Sequence, residues 1–231
     1  MLTPNNPKPM AKTLRVLAAL LGYPDAQLHA DLPEMAGLLA IEAVLTASRR
    51  NELDALMLSL ARTDPLQAEA DYVELFDRGR ATSLHLFEHV HGDSRERGPA
   101  MIDLGQTFEA AGLVLAEGEL PDYLPAVLEF VSTQPAREAR AFLGEMSHIF
   151  NAIFGALQHH GSAYASVLGA LIELAGDKAR PVTPPAEMPL DEAWAEPVVF
   201  DGCSSQGQAK PGQPQPVHIV RKAHTAQGVA P

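Results

Sequence analysis

Three ionisable residues near the middle of the chain have the types and spacing of a zinc site. His85, Glu88 and His89 match the H-x-x-E-H pattern, in which two histidines one helical turn apart bind zinc and the glutamate serves as base. Positions i and i+4 share a helical face, so helical geometry permits this site. A third ligand must come from elsewhere, however, and five-residue motifs arise by chance. A solvated face, or an incidental metal site with His91 and Asp93, is therefore favoured, and a small zinc hydrolase is the alternative.

No other part of the chain carries a recognisable catalytic arrangement. Cys203 is the single cysteine, so an internal disulfide is excluded, and no histidine adjoins it to activate the thiol. The glycines are scattered singly and form no phosphate-binding loop. We therefore predict that the protein is not an enzyme and binds no metal or cofactor of its own.

The charge balance indicates which partners the chain favours. Its formal net charge of -12 argues against non-specific binding to nucleic acid, which requires a basic surface. Residues 1–175 hold 23 acids and 12 bases, a net charge of -11, so the acidity precedes the proline-rich tail. We expect this acidic part to attract a basic ligand.

No apolar run reaches the roughly 18 residues that span a bilayer. Lys12 and Arg15 are followed by an apolar stretch, as in a signal peptide. That stretch is short, lacks a small-x-small cleavage pattern, and has its leucines on one helical face. We expect it to be the first helix of a cytoplasmic protein that does not insert stably into a membrane.

The elements that must position these residues are predicted to be helices throughout. Apolar positions recur at helical spacing, sustained apolar–polar alternation is missing, and β-branched residues are sparse. The central segment, residues 71–92, is apolar on one face and charged on the other, as expected for one helix or for two that meet near Gly79. Further helices are predicted near residues 11–21, 32–49, 51–61, from Pro65 into the central segment, and near 100–115, 120–131, 135–160 and 163–175.

The chain is predicted to comprise one all-α helical-bundle domain with flexible ends. Residues 1–10 form a loose leader, residues 11–176 the helical domain, and residues 177–231 the tail. Nine of the 19 prolines lie after position 180, and such a composition predicts disorder. Residues 190–200, which include the only tryptophan, are predicted as a docking segment within this tail.

Four segments of the chain together point to a known family: LLGYP at 20–24, YVELFDRGRATSLHLFEHVHGDSRERGPAMIDL at 72–104, LPDYLPAVLEF at 120–130 and LDEAWAEPVVF at 190–200. In this order they resemble segments of the NarJ- and NarW-type assembly chaperones of nitrate reductase, which belong to the TorD-like superfamily. The second segment is long enough to be specific, and together they span most of the chain.

The resemblance implies an all-α chaperone of anaerobic nitrate respiration and nitrate assimilation. Such a protein would bind the apo catalytic (alpha) subunit, or the alpha–beta complex, including the N-terminal segment of the alpha subunit. It would keep that subunit competent for molybdenum cofactor insertion and assembly before membrane attachment. Molybdenum cofactor biosynthesis proteins are further expected partners.

We predict that the domain binds a basic, amphipathic client helix in an apolar groove rimmed by acids. The predicted apolar contacts are Tyr72, Phe76, Phe87, Leu104, Tyr123 and Leu124. The predicted charged contacts are Asp71, Glu74, Asp77, Glu88 and Glu129, and the predicted pH-sensing residues are His85, His89 and His91. Two alternatives remain open: that these aromatics are mostly core, or that the protein is an adaptor whose tail recruits partners through Trp194.

Overall fold

The amphipathic patterns of the chain become helices in the computed structural model, which describes residues 8–92, 94–116 and 118–180. The only β pairing within these residues is an isolated antiparallel bridge between His85 and Tyr123, so the all-α prediction is confirmed. Most of the predicted leader, Cys203 and the predicted docking segment lie outside the described residues. The α-helices of the described residues are α1 Ala11–Leu21, α2 Ala26–Glu42, α3 Ala47–Arg62, α4 Pro65–Phe76, α5 Leu86–Val90, α6 Arg97–Ala110, α7 Leu124–Ser132, α8 Ala136–Glu145, α9 Ser147–His159 and α10 Ala165–Ala175, with a 3₁₀ turn at Arg80–Thr82 between α4 and α5.

The core forms within two sets of packed helices, one around α10 and one around α1. Helix α10 is apolar on all sides, with nine of its eleven residues buried, so it can only be central. It packs against α9, α8 and α3, while α1 packs against α7 and α2. Large side chains such as Leu17, Leu128 and Phe150 are completely buried between these helices.

Several helices begin where a carboxylate or hydroxyl accepts their unpaired N–H groups. Asp64 accepts from the backbone of Leu66 and Gln67 at the start of α4, which confirms the predicted start at Pro65. Among the described residues, the segment that leads into helix α1 supplies no side-chain cap. Instead Glu42, the last residue of α2, accepts from the backbone N–H groups of Lys12 at 3.2 Å and Thr13 at 2.6 Å. The end of α2 therefore stabilises the start of α1.

Two predicted helices are each two helices in the structure. The predicted helix 32–49 is interrupted after Glu42, where Ala43 adopts a left-handed φ of 48°. Thr46 then caps α3, accepting from the backbone N–H of Arg49. The predicted run 135–160 likewise breaks at Met146, between α8 and α9. Apolar spacing continues across both breaks because each pair of helices presents its apolar side to the same core.

The described residues fall within one unit of the chain, Met1–Glu187. Among them, no helix combines the length and the apolar character needed to cross a membrane. The predicted domain boundaries at residues 11 and 176 stay predictions.

Candidate functional site

The central segment 71–92 does not form the continuous helix that its apolar spacing allowed. Helix α4 ends at Phe76, and the chain turns before the 3₁₀ turn and the five-residue α5. The Thr82 hydroxyl donates to the carbonyl of Leu75 and lies 3.2 Å from that of Gly79. Threonine and serine hydroxyls compete in this way with helical backbone bonds. The interruption near Gly79 was predicted, but the chain between Gly79 and α5 is mostly a turn.

A buried carboxylate, that of Asp122, holds this turn in place. Its side chain is 0% exposed and comes from the loop before α7, 35 residues beyond Phe87 in the sequence. One carboxylate oxygen accepts from the backbone N–H of Phe87 at 3.1 Å, and the other lies 3.2 Å from Nδ1 of His85. The backbone carbonyl of Asp122 accepts from Leu86, and the backbone carbonyl of Leu84 accepts from Leu124. Asp122 thus caps α5 from a distant segment.

A second cation approaches the same carboxylate. Nη2 of Arg97, the first residue of α6, lies 3.8 Å from Asp122 and 3.5 Å from Glu88. A buried carboxylate is tolerated when it is paired and hydrogen-bonded, and Asp122 meets both conditions. The start of α6 is therefore linked electrostatically to the turn that Asp122 organises.

The H-x-x-E-H prediction is wrong in its geometry. His85 has extended backbone and precedes α5, so His85 and His89 are not one turn apart on one helix. Their rings have separate partners: His85 faces Asp122, whereas Nε2 of His89 lies 2.8 Å from the carbonyl oxygen of Ser83. No cluster of three or more potential ligands that could hold a metal occurs among the described residues.

The environment of His85 favours its protonated form. The hydrogen bond to Asp122 raises the pKa of His85 above its usual value, although partial burial opposes the shift. The charge of Glu88 raises this pKa further and that of Arg97 lowers it. The His85 ring also lies against Tyr123, with the ring centroids 5.4 Å apart. A positive charge therefore develops beside Tyr123 as the pH falls.

A buried tyrosine joins three of the four segments that carry the family resemblance. The Tyr72 hydroxyl donates to the carbonyl of Leu21 at 2.7 Å and lies 3.2 Å from the hydroxyl of Tyr123. Tyr23 packs edge-on against the Tyr72 ring, with centroids 5.7 Å apart. The segments 20–24, 72–104 and 120–130 therefore meet at one place, although they are distant in the sequence.

The side chains around this junction form the surface that we call the tyrosine face: Tyr23, Asp77, His85, Glu119 and Tyr123. Tyr23 is 48% exposed and Tyr123 is half-buried. Burial raises the pKa of Tyr123, its hydrogen bond with Tyr72 lowers it, and the charges of Asp77 and Glu119 raise it further. The face combines aromatic rings with acids, an arrangement suited to a ligand that is both apolar and cationic.

The structure separates the predicted apolar contacts into two groups. Tyr72, Phe76 and Leu124 are buried in the core, so in this conformation they support the surface from below. Phe87, Leu104 and Tyr123 are half-buried and pack at the edge of the core. Only the second group offers area to a partner without rearrangement.

The predicted charged contacts are spread over three helices and the end of α4. Asp71 and Glu74 are exposed on α4, Asp77 is exposed at its end, and Glu129 is exposed on α7. Glu74 pairs with Arg78 at 2.6 Å. Glu88 is half-buried on α5 and faces Arg97. Asp77 is the member of this set that belongs to the tyrosine face.

Four residues of the site were missed from the sequence: Tyr23, Arg97, Glu119 and Asp122. Asp122 stands between two prolines, Pro121 and Pro125, just before α7, and an acid there predicts a cap for its own helix. Its carboxylate instead serves α5, and no local pattern reveals that long-range role. Tyr23 lies in the Gly-Tyr-Pro sequence that ends α1, and an aromatic residue in such a turn could have been selected as a candidate binding residue.

Comparisons with known proteins show which proteins this chain resembles. The family model described as the nitrate reductase delta subunit matches residues 42–168. NarJ of Escherichia coli K12, named a nitrate reductase molybdenum cofactor assembly chaperone, is 41% identical over 196 residues, which cover 79% of this chain and 82% of NarJ. NarW of the same organism, named a probable chaperone of the same kind, is 39% identical over 164 residues, covering 71% of this chain and 68% of NarW.

A solved structure shows a similar fold. The crystal structure of a protein of Archaeoglobus fulgidus, described as a redox enzyme maturation protein, superimposes with a TM-score of 0.54 and covers 73% of this chain and 94% of that chain. The two sequences are 19% identical, so the likeness concerns the fold alone. It supports the predicted all-α helical bundle.

Proposed function

Because this chain belongs to the nitrate reductase delta subunit family and has the NarJ- and NarW-type chaperones as relatives, we propose that it is an assembly chaperone of respiratory nitrate reductase. We propose further that it binds the apo catalytic (alpha) subunit, including its N-terminal segment, and keeps it competent for molybdenum cofactor insertion before membrane attachment. The observation that carries the proposal is the identity of 41% with NarJ over 79% of the chain. Molybdenum cofactor biosynthesis proteins are proposed as further partners.

The tyrosine face supports binding of a client helix. Its exposed aromatic rings can pack against the apolar side of an amphipathic helix, and Asp77 and Glu119 can face that helix's basic side chains. Burial of two or three anchors, each worth about 1.5 to 3 kcal/mol, must exceed several kcal/mol of association and ordering cost. Micromolar affinity is therefore expected.

Calorimetry with the full-length protein tests the proposal. We expect the N-terminal peptide of the catalytic subunit to bind with a dissociation constant in about the micromolar range, and a scrambled peptide of equal charge not to bind. Equal affinity for both peptides would reduce the interaction to charge attraction. No binding of either would contradict client recognition through this segment.

The role of the acids is tested by salt dependence. Asp71→Asn, Glu74→Gln and Asp77→Asn together remove three charges near the tyrosine face, and we expect weaker binding mainly at low salt. A matched variant with three exposed acids neutralised on α2, α3 and α8 (Glu34→Gln, Asp54→Asn and Glu138→Gln) controls for net charge. An equal loss of peptide affinity in both variants would show that the overall charge of the protein, and not this surface, attracts the client.

Protonation of His85 is proposed to weaken binding of a basic client. The groups that face it are Asp122, Glu88 and Arg97, and a protonated ring beside Tyr123 would repel a client cation. Client affinity should be lower at pH 6 than at pH 8, and His85→Gln should reduce the difference. If wild type binds the client equally well at both pH values, protonation of His85, His89 and His91 does not control client release.

The adaptor alternative concerns the tail, which lies outside the described residues. Deletion of residues 181–231 should leave most of the peptide affinity intact if the helical domain holds the binding surface. Complete loss of binding on this deletion would favour recruitment through Trp194.

A further inference from the structure

Helix α6 is held to the rest of the protein by very few contacts. Of its 14 residues, Phe108 is the only one that is fully buried. The Phe108 ring stacks on Phe130 of α7, with centroids 4.8 Å apart and planes inclined by 23°. At the other end of α6, Arg97 makes the two long ion-pair contacts to Glu88 and Asp122. Phe108 therefore supplies the one fully buried apolar contact of this helix, and Leu104, which is half-buried, packs at the edge of the core.

The segments on either side of α6 are suited to act as hinges. Gly92, Gly112 and Gly118 have φ values of 52°, 79° and 88°, which glycine adopts without strain. No side-chain cap stabilises the first turn of α6, and the described residues between Ala110 and Leu124 form no helix. A helix with one fully buried anchor has few contacts to break, so we expect a low free energy of local opening.

The surface beneath α6 is aromatic and its surroundings are acidic. Displacing α6 would expose the face of Phe130 that Phe108 covers, while the edge of Phe130 would stay packed against Phe142 of α8 at 5.8 Å. Four large apolar side chains on α6 and its flanks are already exposed: Val90, Ile102, Val114 and Leu120. Residues 88–122 contain eight acids against Arg95 and Arg97. Such a surface fits a basic amphipathic helix.

We infer that α6 is a hinged lid and that the client helix docks on the Phe130 surface that the lid covers when closed, about two turns along α7 from Tyr123 of the tyrosine face. The identity of this occupant rests on the proposed function. In the closed state Phe108 fills the place of a client side chain. Binding then requires opening, so the apparent affinity is the intrinsic affinity reduced by the open fraction.

The lid itself can be tested on the free, full-length protein by native-state hydrogen exchange in low urea. We expect the amides of α6 to exchange at least about 100-fold faster than those of α10, at a rate that urea changes little. Phe108→Ala should accelerate exchange in α6 by about tenfold or more with a much smaller effect on α10, because it removes the anchor. The matched control is Phe142→Ala, which removes an aromatic contact to the same Phe130 ring from α8 and should not accelerate α6 selectively.

The docking site is tested by titrating the same variants with the N-terminal peptide of the catalytic subunit. Phe108→Ala should bind the peptide more tightly than wild type, by up to the factor by which lid opening increases. Arg97→Ala, which loosens the other attachment, should also tighten binding by about two- to fivefold. This second variant is measured at high salt, where its altered charge is screened.

The outcomes separate the lid from the proposed function. If α6 and α10 exchange with the same free energy and the same urea dependence, α6 is not a lid. If α6 opens locally but Phe108→Ala leaves peptide binding unchanged or weakens it, the client does not dock beneath α6 and the inference is wrong. If wild type and Phe108→Ala both fail to bind the peptide while α6 opens as expected, the lid stands, and the proposed client and its docking on Phe130 fail.

Discussion

Helices α10 and α6 show how differently one small domain can treat two helices of similar length. Helix α10 buries nine of its eleven residues and contacts α3, α8 and α9, whereas α6 buries one of fourteen. Burial supplies most of the stability of a helix in a folded protein. Helix α10 should therefore unfold only with the whole domain, and α6 can open by itself. A chaperone needs both properties: a scaffold that stays folded and a surface that adapts to an unfinished client.

The largest loss of folding stability is expected in the scaffold, the helices that pack around α10. Phe150→Ala on α9 empties a completely buried site and should lower the free energy of unfolding by about 3 to 5 kcal/mol. Urea unfolding followed by far-UV circular dichroism measures this loss. The control is Ile102→Ala on α6, where the side chain is 62% exposed and the change should stay within about 0.5 kcal/mol. A similar loss in both variants would erase the contrast between the two regions.

The second largest loss of stability is expected at Asp122, which contacts α5 and the first residue of α6. Asp122→Ala leaves the backbone N–H of Phe87 without its acceptor and Arg97 without one carboxylate, which should cost about 2 to 4 kcal/mol. Asp122→Asn keeps an acceptor and should cost less. The Asp122→Ala variant should also accelerate hydrogen exchange in α5 and α6 more than in α10. A uniform acceleration would show that Asp122 supports the whole core instead.

A smaller effect is expected where α2 caps α1. Glu42→Ala removes the acceptor for the N–H groups of Lys12 and Thr13 and should destabilise the domain by about 1 kcal/mol. Glu34→Ala, an exposed acid on the same helix, is the matched control. Because α1 belongs to the scaffold, the loss should appear in global unfolding. An unchanged free energy of unfolding would mean that water accepts from these two N–H groups as favourably as Glu42 does.

The smallest effect is the pH dependence due to His85. Its pKa is raised in the folded protein, first by the hydrogen bond to Asp122. The resulting stabilisation is complete below the unfolded pKa of about 6.5 and disappears as the pH rises through the folded pKa. The stability advantage of wild type over His85→Gln should therefore be larger at pH 5.5 than at pH 8.5. This increase should be less than about 1 kcal/mol because the imidazole is partly exposed. The opposite pH trend would contradict a His85–Asp122 ion pair.

Helical spacing was enough to predict which regions of the chain are helical, and it was not enough to predict where each helix ends. The helix predicted over 11–21 matches α1, and the start predicted at Pro65 matches α4, because Gly22 and the Asp64-Pro65 pair act through local backbone chemistry. The break at Ala43 depends on how α2 and α3 meet in the core, and the start of α5 depends on Asp122, which lies 35 residues beyond Phe87.

The amino-acid sequence alone determined the all-α class, the acidic character and the family resemblance, because each depends on composition, periodicity or motifs that are read locally. Only the tertiary structure decided that Tyr72, Phe76 and Leu124 face the core while Tyr23 and Tyr123 reach the surface. It also decided that one carboxylate organises the central turn and that α6 is loosely held. The physical reason is that burial and pairing depend on contacts between distant segments, and an amphipathic pattern does not specify which helix will cover its apolar side.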